Sequence, residues 1–129
     1  MYYTDSDASD IAKLLLRECG GVQSKTEQAC VAWVVLNRVD AYNSSIYSVL
    51  RSPGQFAFYE STTIRSDLLD LAYDVIQRWN DEKNGYENVG RVLPKEYLYF
   101  SGDGSHNYFR TSYSGGSRWD YSLESPYDS

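Results

Sequence analysis

One carboxylic acid in this sequence has the local context of a proton donor. Glu18 follows the apolar run Leu14, Leu15 and Leu16 and precedes two glycines by one residue. A carboxyl at the C-terminal end of a helix faces the negative end of the helix dipole, and partial burial also disfavours its charged form. Both effects raise a pKa, and a general acid must keep its proton near neutral pH. Glu18 is therefore a candidate acid, with an ordinary glutamate paired to Arg17 as the alternative.

Two other residue sets have the types that a nucleophilic mechanism requires. Cys19 and the downstream His106 have the order of a Cys-His wall peptidase or amidase, but a reactive cysteine favours a helix N-terminus and Cys19 ends a predicted helix. Ser105, His106 and Asp103 are nearly adjacent, so they do not face one another, and no nucleophile elbow surrounds the serine. With one histidine and two cysteines, no zinc site is expected. We expect no cofactor.

Helices must position Glu18. Apolar residues at spacings of three and four predict a helix over Ser9–Cys19, capped by Ser9 and stopped by left-handed glycine at Gly20-Gly21. Ser24 and Glu27 form a capping-box pattern ahead of Gln28–Val39, which is apolar nearly all round and is therefore predicted as a buried helix.

Further helices and then strands follow. A short helix is predicted over Ile46–Leu50 and a longer one over Ser66–Trp79, with Ser66 as its cap. After Pro94 the repeat of the apolar pattern changes from 3.6 residues to two. This predicts strands over Tyr97–Phe100 and Asn107–Arg110, and an extension of the second strand through Tyr113 is left open. Residues 114–129 are polar and turn-rich. We therefore predict a single α+β domain over residues 1–129, mainly helical, with a small antiparallel sheet near the C-terminus.

The order of three short motifs resembles a known family. Glu18 is followed by Val34-Val35-Leu36-Asn37-Arg38-Val39 and then by Pro53-Gly54-Gln55-Phe56. This set, with the aromatic strand near Phe100, resembles the SleB/CwlJ family of cell-wall hydrolases over about residues 11–100. Two departures stand next to the acid, where this chain has Arg17 in place of glycine and Cys19-Gly20-Gly21 in place of small and charged residues.

The resemblance implies a lysozyme-like fold related to lytic transglycosylases. It implies a single catalytic glutamate, which corresponds to Glu18, and a cleft at which Gln55 and Phe56 lie. The substrate would be the glycan strand of peptidoglycan, cut between N-acetylmuramic acid and N-acetylglucosamine. No partner carboxylate is evident, although Glu60 and Asp103 stay possible, so a transglycosylase is favoured over a muramidase. A glycan-binding module without turnover is the non-enzymatic alternative.

Tyrosines supply candidate sugar-binding surfaces. A tyrosine offers a flat apolar face and a hydroxyl, which suits a sugar ring. The candidates among the 13 tyrosines are Tyr59, Tyr97, Tyr99, Tyr108 and Tyr113. For any single one of them, packing within the fold is the competing role.

Composition limits the partners. The net charge of −6 and the absence of a basic cluster exclude a nucleic-acid-binding protein. No apolar run is long enough to span a membrane. The N-terminus does not resemble a secretion signal, so an extracellular or wall-associated protein would be exported as part of a longer chain or by another route, such as a phage holin. We expect a monomer, with Cys19 and Cys30 as buried thiols and a disulfide as the alternative.

Overall fold

Four helices precede a three-stranded antiparallel sheet. The computed structural model describes residues 1–127, and the predicted α+β arrangement with a small sheet near the C-terminus is confirmed. The elements are α1 (Asp5–Cys19), α2 (Lys25–Ala41), α3 (Ile46–Arg51), α4 (Ser66–Lys83), β1 (Tyr99–Gly102), β2 (Asn107–Ser112) and β3 (Gly115–Arg118).

Helix α1 begins one turn earlier than the sequence pattern predicted. Thr4, not Ser9, is its cap: the Thr4 hydroxyl accepts the Asp7 backbone N–H, and the Asp7 carboxylate accepts the Thr4 backbone N–H. The helix also ends differently, because Gly20 has φ −60° and is right-handed. Glycine is required there for space, since a Cβ would lie 2.5 Å from the Leu16 carbonyl oxygen.

Helix α2 is the central element of the core. Every residue from Gln28 to Val39 is buried, which confirms the buried helix, and α1, α3 and α4 all pack against it. Ser24 caps it through the Glu27 backbone N–H, as expected. The Glu27 side chain does not close the capping box, however, because it points instead toward the sheet.

Helix α4 packs across α1 and α2 and extends to Lys83, four residues beyond its predicted end. Its N-cap is Arg65, which makes no side-chain capping bond, and Ser66 is its first residue. The prediction of Ser66 as the cap was therefore wrong. Within residues 1–127, no helix has both the length and the apolar character needed to cross a membrane.

The sheet presents one face to the core and the other to a groove. Phe100 on β1 lies opposite Phe109 on β2, and their ring centroids lie 5.9 Å apart on the core face. Tyr99 lies opposite Arg110 and Ser101 opposite Tyr108, so these four residues share the outer face.

Two sequence-based predictions fail at the sheet. Tyr97 lies before β1, which begins at Tyr99. Within the stretch predicted as a turn-rich tail from residue 114, Gly115–Arg118 instead form β3, which pairs with β2 across the turn at residues 113–114, whereas residues 119–127 contain no helix or strand. Residues 128 and 129 of that stretch lie outside the described residues.

Candidate active site

Glu18 lies in the last turn of α1 and is half-buried. Burial raises the pKa of its carboxyl, and a hydrogen bond from the Ala57 backbone N–H partly opposes that rise. Arg17 does not pair with it: the Arg17 Nε donates to the Thr62 hydroxyl at 3.0 Å, and its guanidinium lies 4.9 Å from the centre of the Tyr59 ring. Glu18 therefore has the raised pKa expected of a proton donor.

Side chains from two other helices fix the end of α1. The Gln28 amide of α2 donates to the carbonyls of Cys19, at 3.3 Å, and Val22, at 2.8 Å. The Arg65 guanidinium, at the start of α4, donates to the Gly20 carbonyl at 2.9 Å. Carbonyls at a helix end need such partners, and these bonds hold the turn that carries Glu18 in place.

The loop after α3 carries Gln55 and Phe56 beside Glu18. Ala57, whose N–H reaches the acid, follows them directly. The Gln55 side-chain oxygen accepts a 2.9 Å bond from Arg38, and the Phe56 ring stacks on Phe100 with centroids 6.2 Å apart. The acid, this loop and the sheet are thus joined by direct contacts.

A groove lies between this loop and the outer face of the sheet. We call it the sheet groove; its volume is about 580 Å³ and its lining includes Arg38, Gln55, Tyr99, Tyr108 and Arg110. A second hollow of about 430 Å³ shares Arg38, Gln55 and Tyr99 with it. Glu18 is not part of the lining and is connected to the groove through the segment Gln55–Ala57.

The remaining candidate tyrosines occupy different environments. Tyr113 lines the sheet groove and is 86% exposed, and the exposed Tyr59 packs on Arg17 away from the groove lining. Tyr97 is a core residue with 8% exposure, and its ring lies 5.3 Å from that of Trp119. The sequence could not separate these environments, because burial of Tyr97 depends on Trp119, which is distant along the chain.

A family model described as Cell Wall Hydrolase matches residues 22–120. The chain belongs to the cell-wall hydrolase family. The match begins at Val22, beyond Glu18, and it includes the buried helix α2, the groove residues and the whole sheet. No curated protein and no solved structure gives a significant match. Family membership indicates an enzyme that acts on the cell wall, with peptidoglycan as substrate.

Sequence reasoning missed a second polar cluster in this cell-wall hydrolase. The Glu27 carboxylate, 12% exposed, bonds to the His106 imidazole at 3.0 Å and accepts the Asn107 backbone N–H at 3.3 Å. Glu27 raises the pKa of His106. The contact spans 79 residues, and the local capping-box pattern gave no signal for it.

The rival nucleophiles are not activated in this hydrolase. Both cysteines are buried free thiols, and burial together with the charge of Glu18 raises the pKa of Cys19 to about 12, whereas a thiolate nucleophile needs a lowered value. Asp103 accepts the backbone N–H groups of Ser105 and His106, so it shapes a turn and does not orient the imidazole. Within residues 1–127, no three His, Cys, Asp or Glu side chains form a group that could hold a metal ion.

Proposed function

We propose that this cell-wall hydrolase is a lysozyme-like enzyme of the SleB/CwlJ type. It cleaves the bond between N-acetylmuramic acid and N-acetylglucosamine as a lytic transglycosylase, with Glu18 as the catalytic acid. The observation that carries the proposal is the half-buried Glu18 carboxyl, whose pKa is raised and which is joined to the groove-lining loop through the Ala57 N–H. A carboxyl that keeps its proton beside a groove is what glycosidic cleavage requires.

The proposed reaction has two proton transfers through one residue. Protonated Glu18 donates its proton to the glycosidic oxygen, the bond to the muramic anomeric carbon breaks, and positive charge develops on that carbon. The 6-hydroxyl of the same sugar then attacks, and its proton passes to the Glu18 carboxylate. The product is a 1,6-anhydro sugar, and Glu18 returns to its protonated form.

The contacts of four candidate partner carboxylates support this choice over a muramidase. Ordinary glycosidases use two carboxyl groups that flank the bond. The carboxylates considered as partners are each bound elsewhere: Glu60 to Arg51, Asp67 to Arg65, Glu27 to His106 and Asp103 to a turn. The pKa of Glu18 is set by burial and by the Ala57 N–H.

We propose that the groove residues hold the sugar rings. Tyr99 and Tyr108 offer aromatic faces, and the Gln55 amide can donate to an N-acetyl carbonyl. Phe56 supports the loop by stacking on Phe100 of β1. Tyr59 packs on Arg17, the residue before Glu18, and would contact a part of the glycan strand that lies outside the sheet groove. Tyr97 acts through packing, since its ring lies in the core.

The test compares wild type with Glu18→Gln and with the matched control Glu60→Gln on purified cell walls. Loss of the proton donor is expected to slow cleavage by about 10²- to 10⁴-fold, and the control should cleave normally. The rate should fall as pH rises through the raised pKa of Glu18, because only the protonated form donates.

Product analysis separates the outcomes. Anhydromuramyl ends support the transglycosylase, whereas new reducing ends without them would identify a muramidase. Equal cleavage by Glu18→Gln and wild type would overturn the role of Glu18, and release of peptides without strand cleavage would indicate an amidase. Binding without any cleavage by wild type would indicate a binding module.

A further inference from the structure

Arg38 is a buried cation without an anionic partner in the described part of the chain. It is 5% exposed, and its pKa is lowered by burial. Its Nε donates to the Leu98 carbonyl at 2.7 Å and its Nη1 to the Gln55 oxygen at 2.9 Å. The rings of Phe56 and Tyr99 lie 4.6 Å and 5.1 Å from the guanidinium carbon. All of these partners are neutral, so the positive charge is solvated by dipoles and aromatic faces alone.

Arg110 adds a second positive charge to the same groove. It lies opposite Tyr99 on the outer face of the sheet and lines the sheet groove with Arg38. No aspartate or glutamate is among the residues that line this groove or the adjoining hollow. Asp103 lies outside the lining and accepts the hydroxyl of the lining residue Tyr108 at 3.0 Å.

This charge pattern runs against the composition of the chain, which has 18 acidic and 12 basic residues. Four other arginines bind carboxylates, in the pairs Arg51–Asp10, Arg65–Asp67, Arg78–Asp74 and Arg91–Glu82, whereas Arg17 and Arg118 lie over tyrosine rings. The sheet groove, with two cations and no carboxylate in its lining, therefore differs in charge from the acidic chain as a whole. Such a groove concentrates positive potential and attracts an anionic group.

We infer that the sheet groove binds a carboxylate carried by the glycan strand. This inference rests on the proposed function and deepens it, because it names the chemical group that fixes the strand in the groove. The donors are the Arg110 guanidinium and the Gln55 amide nitrogen, which is turned away from Arg38 because the amide oxygen accepts from Arg38. The buried charge of Arg38 stabilises the bound anion from the floor of the groove.

Two carboxylates of peptidoglycan have this chemistry. One is the lactyl carboxylate of muramic acid, which is free only where the stem peptide has been removed. The other is the set of carboxylates on the stem peptide itself. The first source requires a peptide-free strand, and the second requires a strand with its peptides, so the two can be separated by preparing both.

The experiment measures equilibrium binding of soluble strands to protein carrying Glu18→Gln, so that turnover does not interfere. Strands with peptides and amidase-stripped strands are each used before and after carbodiimide amidation of their carboxylates. Arg110→Gln is compared with Lys95→Gln, which removes the same charge from a residue that is 69% exposed and does not line the groove. Arg38 is retained, because it also supports Leu98 and Gln55.

We expect Arg110→Gln to weaken binding of carboxylated strands about tenfold, as the loss of a charge-assisted hydrogen bond does, and Lys95→Gln to leave it unchanged. Amidation should weaken binding by at least as much, because it also removes the anion that Gln55 and Arg38 would contact, and it should remove the difference between the variants. The strand preparation that shows this effect identifies the source of the carboxylate.

Equal binding of native and amidated strands, or equal effects of Arg110→Gln and Lys95→Gln, would overturn the inference. Cleavage by wild type is scored separately. Cleavage by wild type together with binding that does not depend on the carboxylate would reject the inference and keep the proposed function. Carboxylate-dependent binding without cleavage by wild type would reject the proposed function and keep the carboxylate site.

Discussion

Arg51 connects α3 to α1 and to the loop that follows α3. Its replacement tests how much these ion pairs contribute to the stability of the fold. Its guanidinium donates to the Asp10 carboxylate at 3.1 Å and also pairs with Glu60. It lies over the rings of Tyr47 and Phe58. Arg51→Met keeps the length and apolar contacts of the side chain and removes only the charge and its hydrogen bonds.

The exposure of Arg51 and of its two carboxylate partners sets the expected loss of stability. The Asp10 side chain is 12% exposed and that of Arg51 is 21% exposed, whereas the Glu60 side chain is 67% exposed. Breaking a fully buried pair costs about 3–5 kcal/mol, and an exposed pair contributes about 0–1 kcal/mol. Lys13 remains 3.9 Å from Asp10 and partly compensates. We therefore expect Arg51→Met to lower the free energy of unfolding by about 2–3 kcal/mol, or Tm by roughly 10 °C.

Urea unfolding of wild type, Arg51→Met and the double variant Asp10→Asn with Arg51→Met measures this cost. Most of it comes from leaving a carboxylate without its cation, so the double variant should recover about 1–2 kcal/mol. Lys95→Met, at an exposed position, is the control and should change stability by less than about 0.5 kcal/mol. A loss below that value for Arg51→Met, or a double variant no more stable than the single one, would refute the reasoning.

Two further predictions concern titratable groups. Because Glu27 raises the pKa of His106 above its ordinary 6.5, the pair stabilises the fold fully below about pH 6.5, and this contribution disappears as pH rises through the raised value. The Tm difference between wild type and His106→Gln should accordingly shrink between about pH 5 and pH 9, and a constant difference would contradict the pairing. Because the pKa of Cys19 is about 12, the thiol should react with a disulfide reagent near neutral pH only when urea unfolds the protein. Rapid labelling of the native protein, or loss of cleavage on labelling, would contradict this.

The helices and the position of Glu18 at the end of α1 could be predicted from the sequence because local patterns determine them. The apolar spacing before Cys19, the continuous apolar run of α2 and the proline after α3 all act over a few residues. Even the start of α1 had a local signal: Thr4 with Asp7 is a capping pair, and it prevails over Ser9 because its two reciprocal bonds add a turn.

The features that failed depend on contacts between distant residues. Glu27 has the sequence context of a capping-box residue, yet its carboxylate is used by His106 and Asn107, which no local pattern indicates. The glycines and serines of β3 have low strand propensity, and β2 gives them a pairing partner. The cationic character of the sheet groove likewise arises only when α2 brings Arg38 beside Arg110 of the sheet.

The all-round burial of α2 has a consequence for how members of this family can be identified. Its last turn places Asn37 and Arg38 against carbonyls of the 94–98 segment, so the run Val34–Val39 joins the helical core to the sheet. That run lies inside the matched range of residues 22–120, whereas Glu18 lies outside it. A match over this range therefore identifies chains by helix α2, the groove residues and the sheet. The residue at the end of α1 must then be read separately to sort them into those with an acid and those without.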